Sequence, residues 1–507
     1  MPELSLAELT QAAADAMEPR FVATRPPKIG GVDPLGLRQI NFGLMDQVLP
    51  GINNVGRHVR PYVVTTWAWR RAAVCARQAG RSTVPVDELK DFVDRVEVLY
   101  AWSHFLHEGG ADLPGRDVLN SLLRKATYRF GGTEWRDRRK ARAQSTAFTA
   151  AITYGPAMRT LGWLEPDPDL SGAMRASPAP AVQAALDAFE AQIIDRLTHS
   201  AFSVLGVVDA STEEVRAWRD GWALDAPTAA ERRAMALALA GPSASRERSA
   251  GVSLMVAAAA TAAGPDLKLL RRTMCGSPTN FLPEGDVEQA WTAWRRMQVR
   301  QAFRLALEAL FHWMTGVLEG GPRSSTGLVR VFLSQVPDRE GAVSAGAWLA
   351  NTELRTPTDA MDAIDATMAA PGEAGLAAAI ANALAFCIRE APLEPEAFER
   401  ADRLPLARAR REALVRTDEP AAAFLQHVFE SWILAQHVYW SVGRGLADAR
   451  ARGKTLLRLR IVLEEAGWTL TPGVGRGAPP IATPDRLRTA VSLARESGLM
   501  GIPADGT

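Results

Sequence analysis

The chain has 507 residues, of which 47% are hydrophobic and 23% are charged, and its 58 basic residues nearly balance 57 acidic ones. This composition supports a buried core, and it excludes both dominant disorder and an overall coat of positive charge. The length suits two to four domains or one large helical array.

Cysteine use and apolar runs indicate the compartment. Cys75, Cys275 and Cys387 are odd in number and far apart, which argues against a disulfide framework and against a cysteine-based zinc site. The N-terminus is acidic and lacks the apolar core of a signal peptide. The longest apolar run, Val252 to Ala263, is shorter than the ~20 residues that a membrane span needs. We therefore predict a cytoplasmic protein without a cofactor, a metal or a membrane partner.

Helical periodicity dominates the N-terminal region. We predict a helix over Leu6–Met17 and a second helix that ends near Leu49, before Pro50 and Gly51. A third helix starts near Pro61, because proline suits the first turn of a helix. The region Asp87–His107 has the pattern of a fourth helix.

The helical pattern breaks at GWLEPDPDLSGAMRASPAP, Gly162 to Pro180. A helix over about 145–161 precedes this segment, and another starts at about Ala181. The short apolar pairs around a proline- and glycine-rich turn predict a tight hairpin. Helix, hairpin and helix together are typical of a winged-helix module, which we place at about 113–200.

A long helix is predicted over Asp286–Leu318, and one of its faces is polar. Arg304, Glu308 and His312 are spaced four apart on that face, so they can contact one another in series. Glutamate and histidine could serve acid–base chemistry. Because no nucleophile or metal-ligand set accompanies them, we favour a buried ion-pair network between packed helices.

The C-terminal region contains a second break. Leu456–Leu463 fits either a strand or a helix, and a final helix is predicted to begin with Thr483 as its cap and Pro484 in its first turn, and to end at Gly498. The predicted fold is mainly α, a multi-helix array with one or two short β-hairpins in winged-helix-like modules. We predict domains over 1–205, 206–415 and 416–507.

The strongest charge feature is RKATYRFGGTEWRDRRKAR, residues 124–142. Its cations are predicted to bind nucleic-acid phosphates, while Tyr128, Phe130 and Trp135 could stack on unpaired bases. The alternative is a solvated helix face above aromatic residues of the core. The predicted phosphate-binding residues are Arg124, Lys125, Arg129, Arg136, Arg138, Arg139, Lys140 and Arg142.

A polar turn between the second and third helices is a second candidate site. Asn53, Asn54, Arg57, His58 and Arg60 lead into a helix start, and backbone N–H groups there, flanked by arginines, could hold a phosphate or a carboxylate. The alternative is a structural corner in which the arginines bridge neighbouring helices.

Three segments resemble a loosely defined set of bacterial proteins that are often encoded near restriction and phage-defence genes. They are VLPGINNVGRHVRPYVVTTWAW (48–69), WRRMQVRQAFRLALEALFHW (294–313) and ILAQHVYWSVGRGLADARARGKTLLRLRI (433–461). The resemblance implies a defence-associated protein that works in a multi-gene system, and it implies no assigned reaction.

The leading hypothesis is therefore a nucleic-acid-associated component of a bacterial anti-phage defence system, which acts by binding rather than by catalysis. DNA is the expected nucleic acid rather than RNA, and proteins from the same gene neighbourhood are the expected partners. The 14 tryptophans are assigned mainly to the core, with a docking surface for a partner subunit as the alternative. A protein-interaction scaffold without nucleic-acid binding is the second hypothesis, and a divergent nuclease is the third.

Overall fold

The computed structural model describes residues 33–81, 83–107, 112–141, 151–261, 266–276, 285–336, 339, 342–390, 404–443 and 459–501. The helix predicted over Leu6–Met17 lies outside these residues. In the described part helices predominate, which confirms the mainly α prediction.

Residues 33–276 contribute twelve of the described α-helices. They are α1 (Arg38–Val48), α2 (Val59–Gln78), α3 (Val86–Phe105), α4 (Arg116–Leu119), α5 (Thr133–Ala141), α6 (Ala151–Thr160), α7 (Pro180–Gln192), α8 (Ser200–Ser203), α9 (Thr212–Trp218), α10 (Ala229–Ala240), α11 (Arg246–Thr261) and α12 (Leu267–Cys275).

The remaining helices begin with the longest one that the structure describes. The helices are α13 (Asp286–Leu318), α14 (Ser325–Ser334), α15 (Ala345–Ala350), α16 (Pro357–Ala369), α17 (Leu376–Glu390), α18 (Leu406–Val415), α19 (Ala421–His427) and α20 (Leu487–Glu496). A π-helical segment, Val428–Ala435, continues α19.

Strands in the described residues occur as three antiparallel pairs. The hairpin predicted between residues 162 and 180 is present. The possible strand near residue 460 is also present, and the chain turns back after it as a hairpin. The pairing of residues 127–130 with residues 208–211 was not predicted. The strands are β1 (Thr127–Phe130), β2 (Leu164–Pro166), β3 (Met174–Ala176), β4 (Val208–Ser211), β5 (Ile461–Glu464) and β6 (Gly467–Leu470).

Two hydrophobic clusters form the core, and α13 passes through both of them. Residues 40–297 supply most of the first cluster, and 487–500 return to it from the C-terminus. Residues 299–434 supply most of the second. The division falls inside α13, beside Gln298, so the predicted domain boundaries near 205 and 415 each lie within one cluster. A helix of 33 residues, about 50 Å long, thus joins the two clusters.

The tryptophans lie in the core. Eleven of the 14 are buried and the other three are half-buried. A docking surface would require exposed tryptophans, and none of the 14 is exposed. Their burial favours the assignment to the core.

The final helix starts later than predicted. It begins at Leu487, after Arg486 in the left-handed region (φ 65°), rather than after Thr483. The reason is tertiary: Asp485 bonds to other elements, and the backbone N–H of Arg486 donates to Asn54 Oδ1 at 2.9 Å. The predicted end at Gly498 agrees with its positive φ of 80°.

Gly251 sets the distance between α11 and the end of α1. A Cβ placed on Gly251 would overlap the carbonyl oxygen of Val48. We expect Gly251→Ala to destabilise the protein by about 1–3 kcal/mol, because backbone must move to admit the methyl group. Urea-unfolding midpoints measure this change. Gly443→Ala is the control, since its Cβ would meet nothing within 4 Å, and an equal loss in both variants would contradict the expectation.

Within the described part of the chain, no helix combines the length and the apolar character that crossing a membrane requires.

Candidate nucleic-acid interface

The basic segment folds as a strand followed by a helix. Thr127–Phe130 pairs with Val208–Ser211, and Gly131, with a φ of 74°, turns the chain into α5. The last predicted cation, Arg142, lies outside the described residues. The strand and helix therefore fix the directions of five of the remaining seven cations, whereas Arg124 and Lys125 precede the strand.

The interleaved aromatic residues point inward. Tyr128 and Phe130 alternate with exposed residues along β1, and both are buried. Their rings pack edge to face with the ring of Trp135, whose Nε1 donates to Asp91 Oδ1 at 2.5 Å. The prediction that these rings stack on bases is therefore wrong, because the alternation of the strand directs them into the core.

Three of the cations are bound by carboxylates. Lys125 Nζ lies 2.6 Å from Glu134 Oε2, and Arg138 Nε lies 3.4 Å from the other oxygen of Glu134. Arg139 Nε donates to Asp94 Oδ2 on α3 at 2.7 Å. These charges are largely compensated within the protein.

Three other cations lie at the surface of the described part of the chain. Arg124, Arg136 and Lys140 are exposed, and no ion pair joins any of them to another described residue. Arg129 is 68% exposed and lies 3.6 Å from the carboxylate of Asp209, its cross-strand neighbour. Such an exposed pair is weak, so Arg129 can exchange Asp209 for another anion.

Arg129 in β1 and Arg136 and Lys140 on the adjacent α5 form a short row of exposed cations, which we call the α5 cation row. The aliphatic part of Arg129 packs beside Gly132, whose carbonyl accepts the Arg136 N–H at 3.0 Å. Lys140 is one helical turn beyond Arg136, about 5–6 Å away between Cβ atoms. Asp137 is also exposed between them, so the surface is basic but mixed.

The β2–β3 hairpin stands where a wing was predicted, and its tip is acidic. Asp167 and the exposed Asp169 lie in the turn between Leu164–Pro166 and Met174–Ala176. Asp167 Oδ1 accepts the backbone N–H of Asp169 at 2.9 Å. Two carboxylates at this tip would repel phosphates, so the hairpin is unsuited to contact a polyanion.

The predicted residues of the polar turn at 53–60 form hydrogen bonds or ion pairs within the protein. Asn53 Oδ1 accepts the N–H groups of Val55 at 2.8 Å and Gly56 at 2.6 Å, which closes the turn. Asn54 Oδ1 accepts the backbone N–H of Arg486 before α20. The two asparagines thus shape the turn and attach the C-terminal helix to it.

A carboxylate of the protein occupies the start of α2, where an anion was predicted. Glu496 Oε2 accepts the backbone N–H of Val59 at 2.8 Å, and Glu496 Oε1 lies 2.5 Å from His58 Nδ1. Arg57 donates to Asp112 at 2.8 Å. The chemistry of the predicted site is present, but the anion comes from α20.

Arg60 is buried rather than available to a ligand. Only 1% of its side chain is exposed, and it contacts Glu231 at 3.3 Å. It donates to Gln192 Oε1 at 2.7 Å and to the carbonyl of Ala226. Burial lowers the pKa of Arg60, and Glu231 opposes this effect. These contacts correspond to the structural-corner alternative, with Arg60 bridging α2, α7 and α10.

A buried polar layer lies along the middle of α13. Arg304 donates to Glu308 at 2.6 Å, and 0% and 1% of their side chains are exposed. Arg38 of α1 lies 3.5 Å from the same carboxylate, and Asn41 donates to Gln301 at 3.2 Å. The predicted Arg304–Glu308 contact is therefore present between packed helices.

The layer also ties the C-terminal region to α13. Asp485 Oδ2 accepts from Gln298 at 2.7 Å and from Arg271 of α12 at 2.5 Å. The predicted series does not continue to His312, whose Nε2 contacts Glu373 at 3.2 Å. Sequence spacing could not identify Asp485 or Glu373, because both come from distant parts of the chain.

No group of three or more histidine, cysteine or acidic residues suited to a metal ion occurs within the described ranges. The three cysteines are buried and unpaired. Comparison with known proteins gave no matching family model, no matching curated protein and no matching solved structure.

Proposed function

We propose that the protein binds the phosphate backbone of nucleic acid along the α5 cation row. The observation that carries the proposal is that Arg136 and Lys140 are exposed on one helix face, without a carboxylate partner among the described residues, beside the 68% exposed Arg129. Exposed cations that neutralise phosphates release counterions that are condensed on the nucleic acid, and this release favours binding.

The proposal concerns phosphates rather than bases. Because Tyr128, Phe130 and Trp135 are buried, the surface offers no ring from this set for stacking on unpaired bases. Binding would therefore depend on phosphate density, which is highest along a duplex. Duplex DNA is the partner that this chemistry fits, with little preference for sequence.

The acidic hairpin restricts the orientation of the ligand. Asp167 and Asp169 would repel a phosphate backbone that approached the β2–β3 tip. The proposed contact therefore uses α5 and the adjacent strand β1 rather than the hairpin as a wing.

Salt dependence tests the proposal. Three phosphate contacts give a logarithmic salt slope of about −2.7, so affinity for a 20-base-pair duplex should fall about 40-fold between 50 and 200 mM salt. In R136E/K140E we expect the slope to decrease in magnitude by about 2 and the affinity at 50 mM salt to fall at least ~10-fold. Fluorescence anisotropy with a labelled duplex measures both.

The matched control is R330E/R488E, which makes the same charge change at two exposed arginines on α14 and α20. Its binding should stay close to that of the unmodified protein. If both double variants lose affinity equally, overall charge rather than the α5 cation row is responsible. The absence of salt-dependent DNA binding would overturn the proposal.

The resemblance to defence-associated proteins supports a role in a multi-gene anti-phage system, with this protein as its nucleic-acid-binding component. Co-purification with the product of an adjacent gene tests that part. Two results together would favour the adaptor alternative. The unmodified protein would show no DNA binding, and R136E/K140E would still form the complex normally.

A further inference from the structure

A serine, a histidine and a glutamate form a hydrogen-bonded series on the surface formed by α18 and α19. Ser431 Oγ lies 3.3 Å from His427 Nδ1, and His427 Nε2 lies 3.0 Å from Glu412 Oε2. Ser431 is exposed, and 20% of the His427 side chain and 24% of the Glu412 side chain are exposed. The series is therefore open to a ligand, and neither of the candidate sites described above includes it.

The contacts select one form of the imidazole. Because Glu412 Oε2 is an acceptor, the neutral His427 carries its proton on Nε2. Nδ1 then has a free lone pair directed at the hydroxyl of Ser431. A nucleophile in contact with a base, which a third group orients, is the arrangement that activates serine hydroxyls.

Glu412 is itself fixed by its neighbours. Its Oε2 also accepts from Trp432 Nε1 at 2.7 Å, and its Oε1 accepts from Arg408 Nε at 2.8 Å. Burial raises the pKa of Glu412, but the hydrogen bonds from His427, Trp432 and Arg408 outweigh it and bring the pKa to about 2. The carboxylate is consequently ionised at neutral pH and can stabilise a charged imidazole.

The backbone at Ser431 is unusual. Ser431 lies in the π-helical segment Val428–Ala435, and π-helical insertions are rare and occur frequently at functional sites. An apolar surface lies next to the site: Val415 is one turn after Glu412 on α18 and is 84% exposed, and Leu414 is 61% exposed. This surface suits the acyl part of a small ester.

We propose that Ser431, His427 and Glu412 form a nucleophilic serine site that hydrolyses small activated carboxylic esters. The Ser431 oxygen attacks the carbonyl carbon, and its proton passes to His427 Nδ1. The alcohol leaves with that proton, and the acyl group remains on Ser431. Water then attacks the acyl-serine with His427 as base, which releases the carboxylic acid and restores the hydroxyl of Ser431.

A fluorophosphonate probe and p-nitrophenyl acetate test the site in the full-length protein. We expect the probe to modify Ser431, as mapped by mass spectrometry, and ester hydrolysis to disappear in S431A. Labelling in H427Q should be at least ~100-fold slower, because the base is absent. S334A is the matched control, since Ser334 is an exposed helical serine whose hydroxyl donates to the carbonyl of Val331 and contacts no histidine among the described residues.

Glu412 is a positioning residue and needs a separate readout. In E412Q the pH–rate profile should move to lower pH, because the protonated imidazole loses its carboxylate partner. Circular dichroism confirms that each variant is folded. Labelling of Ser431 that is no faster than that of Ser334, or that is unchanged in H427Q, would overturn the proposal.

Discussion

Replacing Glu308 by alanine is expected to lower the free energy of unfolding by about 3–5 kcal/mol. Only 1% of this side chain is exposed, and it pairs with the fully buried Arg304. Burial raises the pKa of Glu308, and the positive charges of Arg304 and Arg38 oppose this increase. Without the carboxylate, the guanidinium of Arg304 would remain buried without its ionic partner, and that uncompensated charge is the main source of the loss.

Urea unfolding followed by tryptophan fluorescence measures the effect. The double variant R304M/E308L should lose much less stability than E308A, because replacing both members of a buried pair leaves no unpaired charge. Arg175→Ala, which removes half of an exposed pair with Glu165, should change the free energy of unfolding by less than ~1 kcal/mol. A loss in E308A no larger than in Arg175→Ala would contradict the expectation.

Acidification from pH 6.5 to pH 4 is expected to destabilise the protein through two buried histidines. Burial lowers the pKa of His104 and of His437 to about 4 each, whereas an unfolded histidine has a pKa of about 6.5. Between these values the unfolded state binds more protons, so stability decreases as pH falls. Each histidine accounts for roughly 3 kcal/mol, which is present above pH 6.5 and lost by pH 4.

Glutamine variants separate the contribution of these histidines to the acid sensitivity from that of other groups. His437 Nδ1 contacts the carbonyl of Pro34 at 2.9 Å, and its Nε2 accepts the backbone N–H of Arg460 at 3.0 Å. His437→Gln should lower the free energy of unfolding at pH 7.5. It should also reduce the difference in that free energy between pH 7.5 and pH 4.5. Adding His104→Gln to this variant should reduce the difference between the two pH values again. An unchanged difference in both variants would show that other groups cause the acid sensitivity.

Local sequence signals predicted several elements of the fold. Apolar residues at helical spacing identified α13, and proline and glycine signals located the hairpin between residues 162 and 180 and the end of α20 at Gly498. The β1–β4 pair was missed because Thr127–Phe130 is short and its partner is about 80 residues away along the chain. Such pairing leaves no local pattern, since a four-residue strand shows little alternation.

The candidate sites were only partly predictable. The basic segment was evident from composition, but which cations are free was decided by Glu134, Asp94 and Asp209. The series of Ser431, His427 and Glu412 was not identified from the sequence, because Glu412 lies on a different helix. The spacing of His427 and Ser431 by four residues was the only local signal.

By itself, the sequence determined a mainly helical chain, the hairpin between residues 162 and 180 and the concentration of positive charge near residue 130, because each depends on neighbours within a few residues. Only the tertiary structure decided that Glu496 fills the start of α2 and that Asp485 joins the polar layer of α13. It also decided which arginines of α5 remain unpaired. These outcomes depend on carboxylates that folding brings from distant segments, and electrostatic interaction depends on distance in space rather than along the chain.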